Sequence, residues 1–137
     1  MKIVQKLDYA VRVMIQLALR YDHSTLSQLD DLAETEAVSV HFLAQILNEL
    51  RRSNLVVSKR GKNGGYQLAR EPETITLYDI IAVMEGELLD HDKTNTGASG
   101  EVAANAWSRL NNVLSIEAQK MTLETLSGKT QAPMFFI

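Results

Sequence analysis

Arg51-Arg52-Ser53-Asn54-Leu55-Val56-Val57-Ser58-Lys59-Arg60-Gly61-Lys62-Asn63-Gly64-Gly65-Tyr66-Gln67-Leu68-Ala69-Arg70 carries six basic residues and no acidic one. Two short apolar runs, Leu55-Val56-Val57 and Tyr66-Gln67-Leu68, flank a stretch from Ser58 to Gly65 that contains Gly61, Gly64 and Gly65. That is the period of strands around a turn, so the segment reads as a β-hairpin with a flexible basic tip. Glycine permits positive φ and close approach of the backbone, while Lys59, Arg60 and Lys62 supply cations that suit phosphates or a groove. A charge run is usually a solvated face, but such faces commonly mix signs, and this one does not. What precedes the hairpin decides between the two readings.

Upstream, Leu7, Ala10, Val11, Met14, Ile15 and Ala18 follow the spacing of one helix face, and the pattern stops between Tyr21 and Ser24. A shorter helix is expected to open near Ser27, with Leu29, Leu32 and Ala33 as its apolar residues. After a brief polar break Ser39 is a natural N-cap, and Leu43, Ile46, Leu47 and Leu50 then form a buried stripe. His41, Ala44, Gln45, Asn48 and Arg52 are left on the rest of that helix. Two short helices joined by a tight turn make a helix-turn-helix, and a basic hairpin directly after it reads as a wing.

Downstream, Glu71-Pro72 breaks the chain, and Thr76-Leu77-Tyr78-Asp79 has the form of a capping box ahead of Ile80, Ile81, Val83 and Met84. Gly86 suits a helix stop, and Glu87 to Gly100 is a polar loop without periodicity. From Glu101 to Lys120, Trp107, Leu110, Val113, Leu114 and Ile116 recur at near-helical spacing, preceded by Val102, Ala103 and Ala106. A long amphipathic helix this far along the chain exceeds what a small winged-helix core requires. It reads as a dimerisation arm through Trp107, Leu110, Val113 and Leu114, with packing on its own domain as the plainer alternative.

Composition bounds the function. The 137 residues fit one domain of ordinary globular make-up, 45% hydrophobic and 23% charged. The longest apolar runs fall far short of a membrane span and the amino end lacks a signal-peptide pattern, so a cytoplasmic protein with no membrane partner is expected. The net charge of −3 does not suggest a nucleic-acid binder, yet residues 1–70 carry a net +3 and residues 71–137 a net −6. The halves are expected to do different work. There is no cysteine, which excludes disulfides, a catalytic thiol and ordinary iron-sulfur ligation. His23, His41 and His91 are scattered and no nucleophile-base pair is apparent, so no enzyme is expected.

In this order the segments resemble the IscR/NsrR/CymR family of small bacterial winged-helix repressors, over essentially the whole chain. The resemblance rests on Asp8-Tyr9-Ala10-Val11-Arg12, on Ser39 to Leu47, on Leu50-Arg51-Arg52-Ser53-Asn54-Leu55-Val56, and above all on Arg60-Gly61-Lys62-Asn63-Gly64-Gly65-Tyr66-Gln67-Leu68. Thr122-Leu123-Glu124-Thr125-Leu126 is similar to the family's short closing helix. It implies a mainly α fold with a small β-hairpin. Residues 1–86 would form a winged helix-turn-helix domain, 87–100 a loop, 101–126 the dimerisation helix and closing helix, and 127–137 a tail. Base-edge contacts are implied for Ser39, His41, Phe42 and Gln45, the last with the chemistry to pair with adenine. Arg60, Gly61 and Lys62 would enter the minor groove, Lys6 and Tyr9 would meet phosphates, and Arg51, Lys59 and Tyr66 complete the DNA-binding set. Where some relatives carry an acidic residue this chain has Ala44, which cannot accept a cytosine amino hydrogen bond, so their operator does not transfer.

The resemblance also implies a palindromic DNA operator bound by a homodimer. Cluster-binding members place three cysteines in the counterpart of Leu88 to Gly100, and this chain has none, so neither cofactor nor metal is expected; His91 between Asp90 and Asp92 reads as solvated. The cysteine-free loop and the ending Met134-Phe135-Phe136-Ile137 resemble the branch of the family that represses cysteine metabolism in complex with cysteine synthase. Phe135, Phe136 and Ile137 are then candidates for docking into that partner, a free carboxylate after apolar residues suiting capture in a backbone anion nest. The alternative is that the two phenylalanines pack on the dimer's own helices. Two further functions stay open at this point: a winged-helix protein-interaction module without DNA binding, and a repressor switched by a small-molecule effector at the dimerisation helices.

Overall fold

The structure, a computed structural model, describes residues 2–128. Helix α1 (Gln5–Leu19) lies at the centre, packed against four later elements, and buries Leu7, Ala10, Val13, Met14, Leu17 and Ala18. The expected stripe is shifted: Val11 and Ile15 are half-buried, whereas Val13 and Leu17 are fully covered. A helix covered on several sides has no single apolar stripe, so its deepest residues do not follow from periodicity alone.

Helix α2 (Leu29–Thr35) and helix α3 (Val40–Arg52) form the helix-turn-helix, with Ala37 at φ 55° in the turn between them. Helix α2 begins two residues later than the sequence suggests. Ser27 is buried, and its backbone exchanges two 2.8 Å hydrogen bonds with Tyr66, an antiparallel bridge that competes with helix geometry at that position. Helix α3 begins as its sequence indicates, with the Phe42 N–H donating to Ser39 Oγ at 3.1 Å, and it buries Leu43, Ile46, Leu47 and Leu50. Asn54, in the left-handed region at φ 63°, turns the chain into strand β1 (Val56–Lys59), which pairs antiparallel with strand β2 (Gly65–Leu68).

After a 3-10 turn at Pro72–Thr74, helix α4 (Leu77–Met84) opens with both bonds of a capping box: Asp79 N–H to Thr76 Oγ1 and Thr76 N–H to Asp79 Oδ2. Replacing Thr76 by alanine is expected to cost about 1 kcal/mol in urea-monitored unfolding, with an unchanged denaturant slope. Helix α5 (Gly100–Gln119) is the longest element, and α6 (Leu123–Leu126) follows it. The chain after α5 returns to the start of α4: Leu77 N–H donates to the Met121 carbonyl and Leu123 N–H to the Ile75 carbonyl, each at 2.8 Å, and the Leu123 side chain is fully buried. The fold is thus mainly helical, with a two-stranded hairpin and a long carboxyl-terminal helix, as the sequence indicates.

Between α1 and α2, Asp22 accepts hydrogen bonds from the Thr25 hydroxyl and from the backbone N–H of Thr25 and Ser24. These bonds, the Thr25 hydroxyl foremost, lower its carboxyl from an ordinary 3.8 to about 2. A depressed carboxyl contributes stability above its unfolded value, and that contribution fades as pH falls from there through about 2. Among the described residues no helix is long and apolar enough to cross a membrane.

Candidate nucleic-acid interface

The exposed side of α3 begins where its capping ends. Ser39 Oγ is engaged by the Phe42 N–H, so its hydroxyl serves the helix start before any outside partner. His41 and Gln45, one turn apart and exposed, lie with their Nε2 atoms 3.5 Å from each other. Phe42 is half-buried and meets Tyr9 edge to face, with ring centroids 6.0 Å apart. Tyr9 also carries the Arg12 guanidinium 4.7 Å from its ring centre, and Arg12 pairs with Asp8 at 2.9 Å. Tyr9 and Phe42 therefore fix how the amino end of α3 sits on α1. Lys6 does the same at the far end, its Nζ 2.6 Å from Glu49 Oε1 in a pair that is about two-fifths exposed. Lys6 is thus tied to α3 by a pairing that its distance along the chain conceals from the sequence.

The hairpin presents different chemistry. The Gly64 N–H donates to the Gly61 carbonyl at 3.0 Å, closing a turn in which Gly61 adopts φ 110° with open space around it. A Cβ on Gly64 would lie 2.1 Å from the Lys59 carbonyl oxygen, and one on Gly65 would lie 2.5 Å from that of Ser27. Side chains are excluded at both positions, the first by the turn and the second by the bridge that seats the hairpin against the start of α2. Tyr66 is half-buried on that bridge, and Gln28 Nε2 reaches the Lys62 carbonyl at 3.5 Å. The tip is thus held at its base while its cations point outward. Among the described residues Arg51, Arg52, Lys59, Arg60 and Lys62 are exposed and pair with no carboxylate, although Asn48 Oδ1 accepts from Arg51 at 2.8 Å. Arg70, at the root of the hairpin, is bound instead to Asp79 at 3.3 Å.

Unneutralised cations on the hairpin and in the last turn of α3 suit a nucleic-acid backbone, and His41 and Gln45, exposed on α3, have the chemistry for base edges. The comparisons with known proteins agree. The profile of the Rrf2 family, described as iron-dependent transcriptional regulators, matches residues 3–129. The chain belongs to the Rrf2 family. It is 36% identical to the HTH-type transcriptional regulator CymR of Bacillus subtilis (strain 168), over all of both chains. The solved structure of CymR, the global cysteine regulator of B. subtilis, superposes with a TM-score of 0.80 at 33% identity, covering 96% of this chain and 99% of that one. IscR of T. potens superposes with a TM-score of 0.76 at 30% identity over 98% and 96%. This Rrf2 protein is accordingly a helix-turn-helix transcriptional regulator related to CymR, a DNA-binding protein and not an enzyme.

Iron dependence, part of the family's description, is tested by the donors this Rrf2 chain offers. It has no cysteine, and among the described residues no three His, Asp or Glu side chains gather as a metal site. His91 Nδ1 lies 3.2 Å from the Asp92 carbonyl, and its Nε2 lies 3.3 Å from the Lys93 ammonium, a cation where a metal ion would have to bind. These residues do not fit an iron-sulfur cluster.

The acidic half has a distinct surface. Of the α5 side chains only Ala104 and Ala118 are buried, while Val102, Val113 and Ile116 are 72%, 59% and 57% exposed, and Trp107 and Leu110 nearly half. Leu114, grouped with them in the sequence, is half-buried and turns towards α4. Phe135, Phe136 and Ile137 lie outside the described residues.

Proposed function

We propose that this Rrf2 protein is a homodimeric repressor that reads a palindromic operator without an iron-sulfur cluster and controls genes of cysteine metabolism. The observation that carries the DNA-reading part is the wing: Lys59, Arg60 and Lys62 exposed without carboxylate partners on a hairpin tied to α2. Gln45 and His41 are the base readers, Arg60 and Lys62 enter the minor groove beside them, and Tyr9, Ser39 and Phe42 set the helix that carries the readers. The apolar outer face of α5 supports the dimer, since monomers rarely leave so many large apolar side chains together in water. The regulon rests on the resemblance to a global cysteine regulator, and cysteine synthase is the partner that goes with it, at Phe135 to Ile137.

Genomic footprinting of the purified protein tests the reading. Protections are expected as two symmetric half-sites about one helical turn apart, about 34 Å, upstream of sulfur-assimilation genes. Added cysteine synthase is expected to raise their occupancy. Single unsymmetric protections would overturn the dimeric reading, and symmetric sites beside unrelated genes would overturn the regulon.

A further inference from the structure

Helix α5 packs along α4 and places only Ala118 in the common core, and α6 after it returns to α1 and the 3-10 turn. Beside that attachment lies a cavity of about 410 Å³, between α4, the turn at Gly86 to Leu88 and the inner side of α5. The size is that of a small-molecule pocket. Asn111 on α5 fixes its wall: it accepts from the Leu89 N–H at 3.1 Å and donates to the Leu89 carbonyl at 2.8 Å, and its amide also lies 3.4 Å from Glu87 Oε2. The floor is apolar, from Ile81, Leu88, Leu114 and Ala118, while the polar groups around it come from Tyr78, Ser108, Asn112 and Ser115. Tyr78, Ser108 and Asn112 are exposed at the mouth and Ser115 is half-buried, and none of the four side chains bonds another described residue.

The charge of the lining narrows the ligand. The lining includes no Lys, Arg or His, so nothing in it would neutralise a phosphate or a lone carboxylate. Its one carboxylate, Glu87, already holds Lys93 at 3.0 Å, which removes most of the attraction for a free cation. We propose that this cavity is an effector site for a small neutral molecule with a hydrogen-bonding edge and an apolar body, of about nucleoside size. A ligand wedged between α4 and α5 sets the angle at which the dimerisation arm leaves the DNA-binding domain. Half-site spacing in a two-fold dimer depends on that angle, so occupancy changes operator affinity. This rests on α5 being the dimer arm.

The test uses the full-length protein with matched probes: adenosine against adenosine monophosphate, and methyl glucoside against glucose 6-phosphate. At least one neutral member is expected to raise Tm and to change operator affinity three-fold or more, while its phosphorylated counterpart does neither. Ser115→Leu, which fills the cavity, is expected to abolish the ligand effect while sedimentation still shows a dimer. Equal response to both members of a pair, response surviving in Ser115→Leu, or no response to any probe would overturn the effector site. A wild-type monomer in sedimentation would instead overturn the dimer reading on which it rests, a result separable from the binding measurement.

Discussion

Arg60→Ala combined with Lys62→Ala is expected to leave a folded protein whose operator affinity falls on the order of 100-fold and whose salt dependence is shallower by about two in log-log slope. Both side chains are exposed and pair with no carboxylate, so removing them takes nothing from the core and leaves no buried charge behind. Gly61, Gly64 and Gly65, which hold the hairpin's shape, are untouched, and the Ser27–Tyr66 bridge still anchors its base. The loss is therefore one of contacts: a charged hydrogen bond to phosphate or base contributes about 1.5 kcal/mol, and each neutralised phosphate about 0.9 of slope. Lys120, paired with Glu117 at 3.8 Å on the acidic half, is the control, and Lys120→Ala is expected to bind as the parent does. Gel shifts at several salt concentrations measure both quantities. Unchanged affinity with an unchanged slope would remove the hairpin from the DNA interface and favour a protein-interaction module.

How much of this was legible beforehand depends on the range of the interactions involved. The cap at Ser39, the capping box at Thr76 and Asp79, and the turn glycines are local, each satisfied within a few residues, and the sequence displays them directly. The helix-turn-helix, the hairpin and the long α5 follow from those signals and from periodicity. The miss at Ser27 had another origin, because residue 66 closes its backbone bonds and the separation in sequence hides the bridge. The pairing of Lys6 with Glu49 across the α1–α3 contact is hidden in the same way, by a separation of 43 residues. The edge-to-face contact of Phe42 with Tyr9 is likewise long-range and has no local signal. The basic residues of the wing gain no such partner, which is why they carry the larger expected effect. The cavity beside α4 had no sequence signal at all, since its polar lining comes from serines and asparagines that look like ordinary solvent-facing positions of a helix.

Leu110→Glu combined with Val113→Glu is expected to convert a dimer into a 15.3 kDa monomer in sedimentation velocity, without lowering the stability of the protomer itself. Neither side chain supports the protomer core, the one about half exposed and the other more, so carboxylates there meet only water when α5 is alone. In a two-fold dimer both copies use the same patch, so each change is made twice in one interface. Burying a leucine or valine there contributes about 1.5–3 kcal/mol, and four carboxylates brought into one interface add desolvation and repulsion, so the association constant is expected to fall more than 1,000-fold. DNA binding separates this from the wing variant. A monomer keeps α3, Arg60 and Lys62 and retains half-site affinity and its share of the salt slope, but it loses the advantage of engaging two half-sites together. The operator affinity of the α5 variant should therefore become insensitive to half-site spacing, whereas the wing variant should remain a spacing-sensitive dimer with weaker contacts. A variant that still sediments as a dimer would show that another surface joins the protomers. The exposed Val102, Val113 and Ile116 would then need a different occupant.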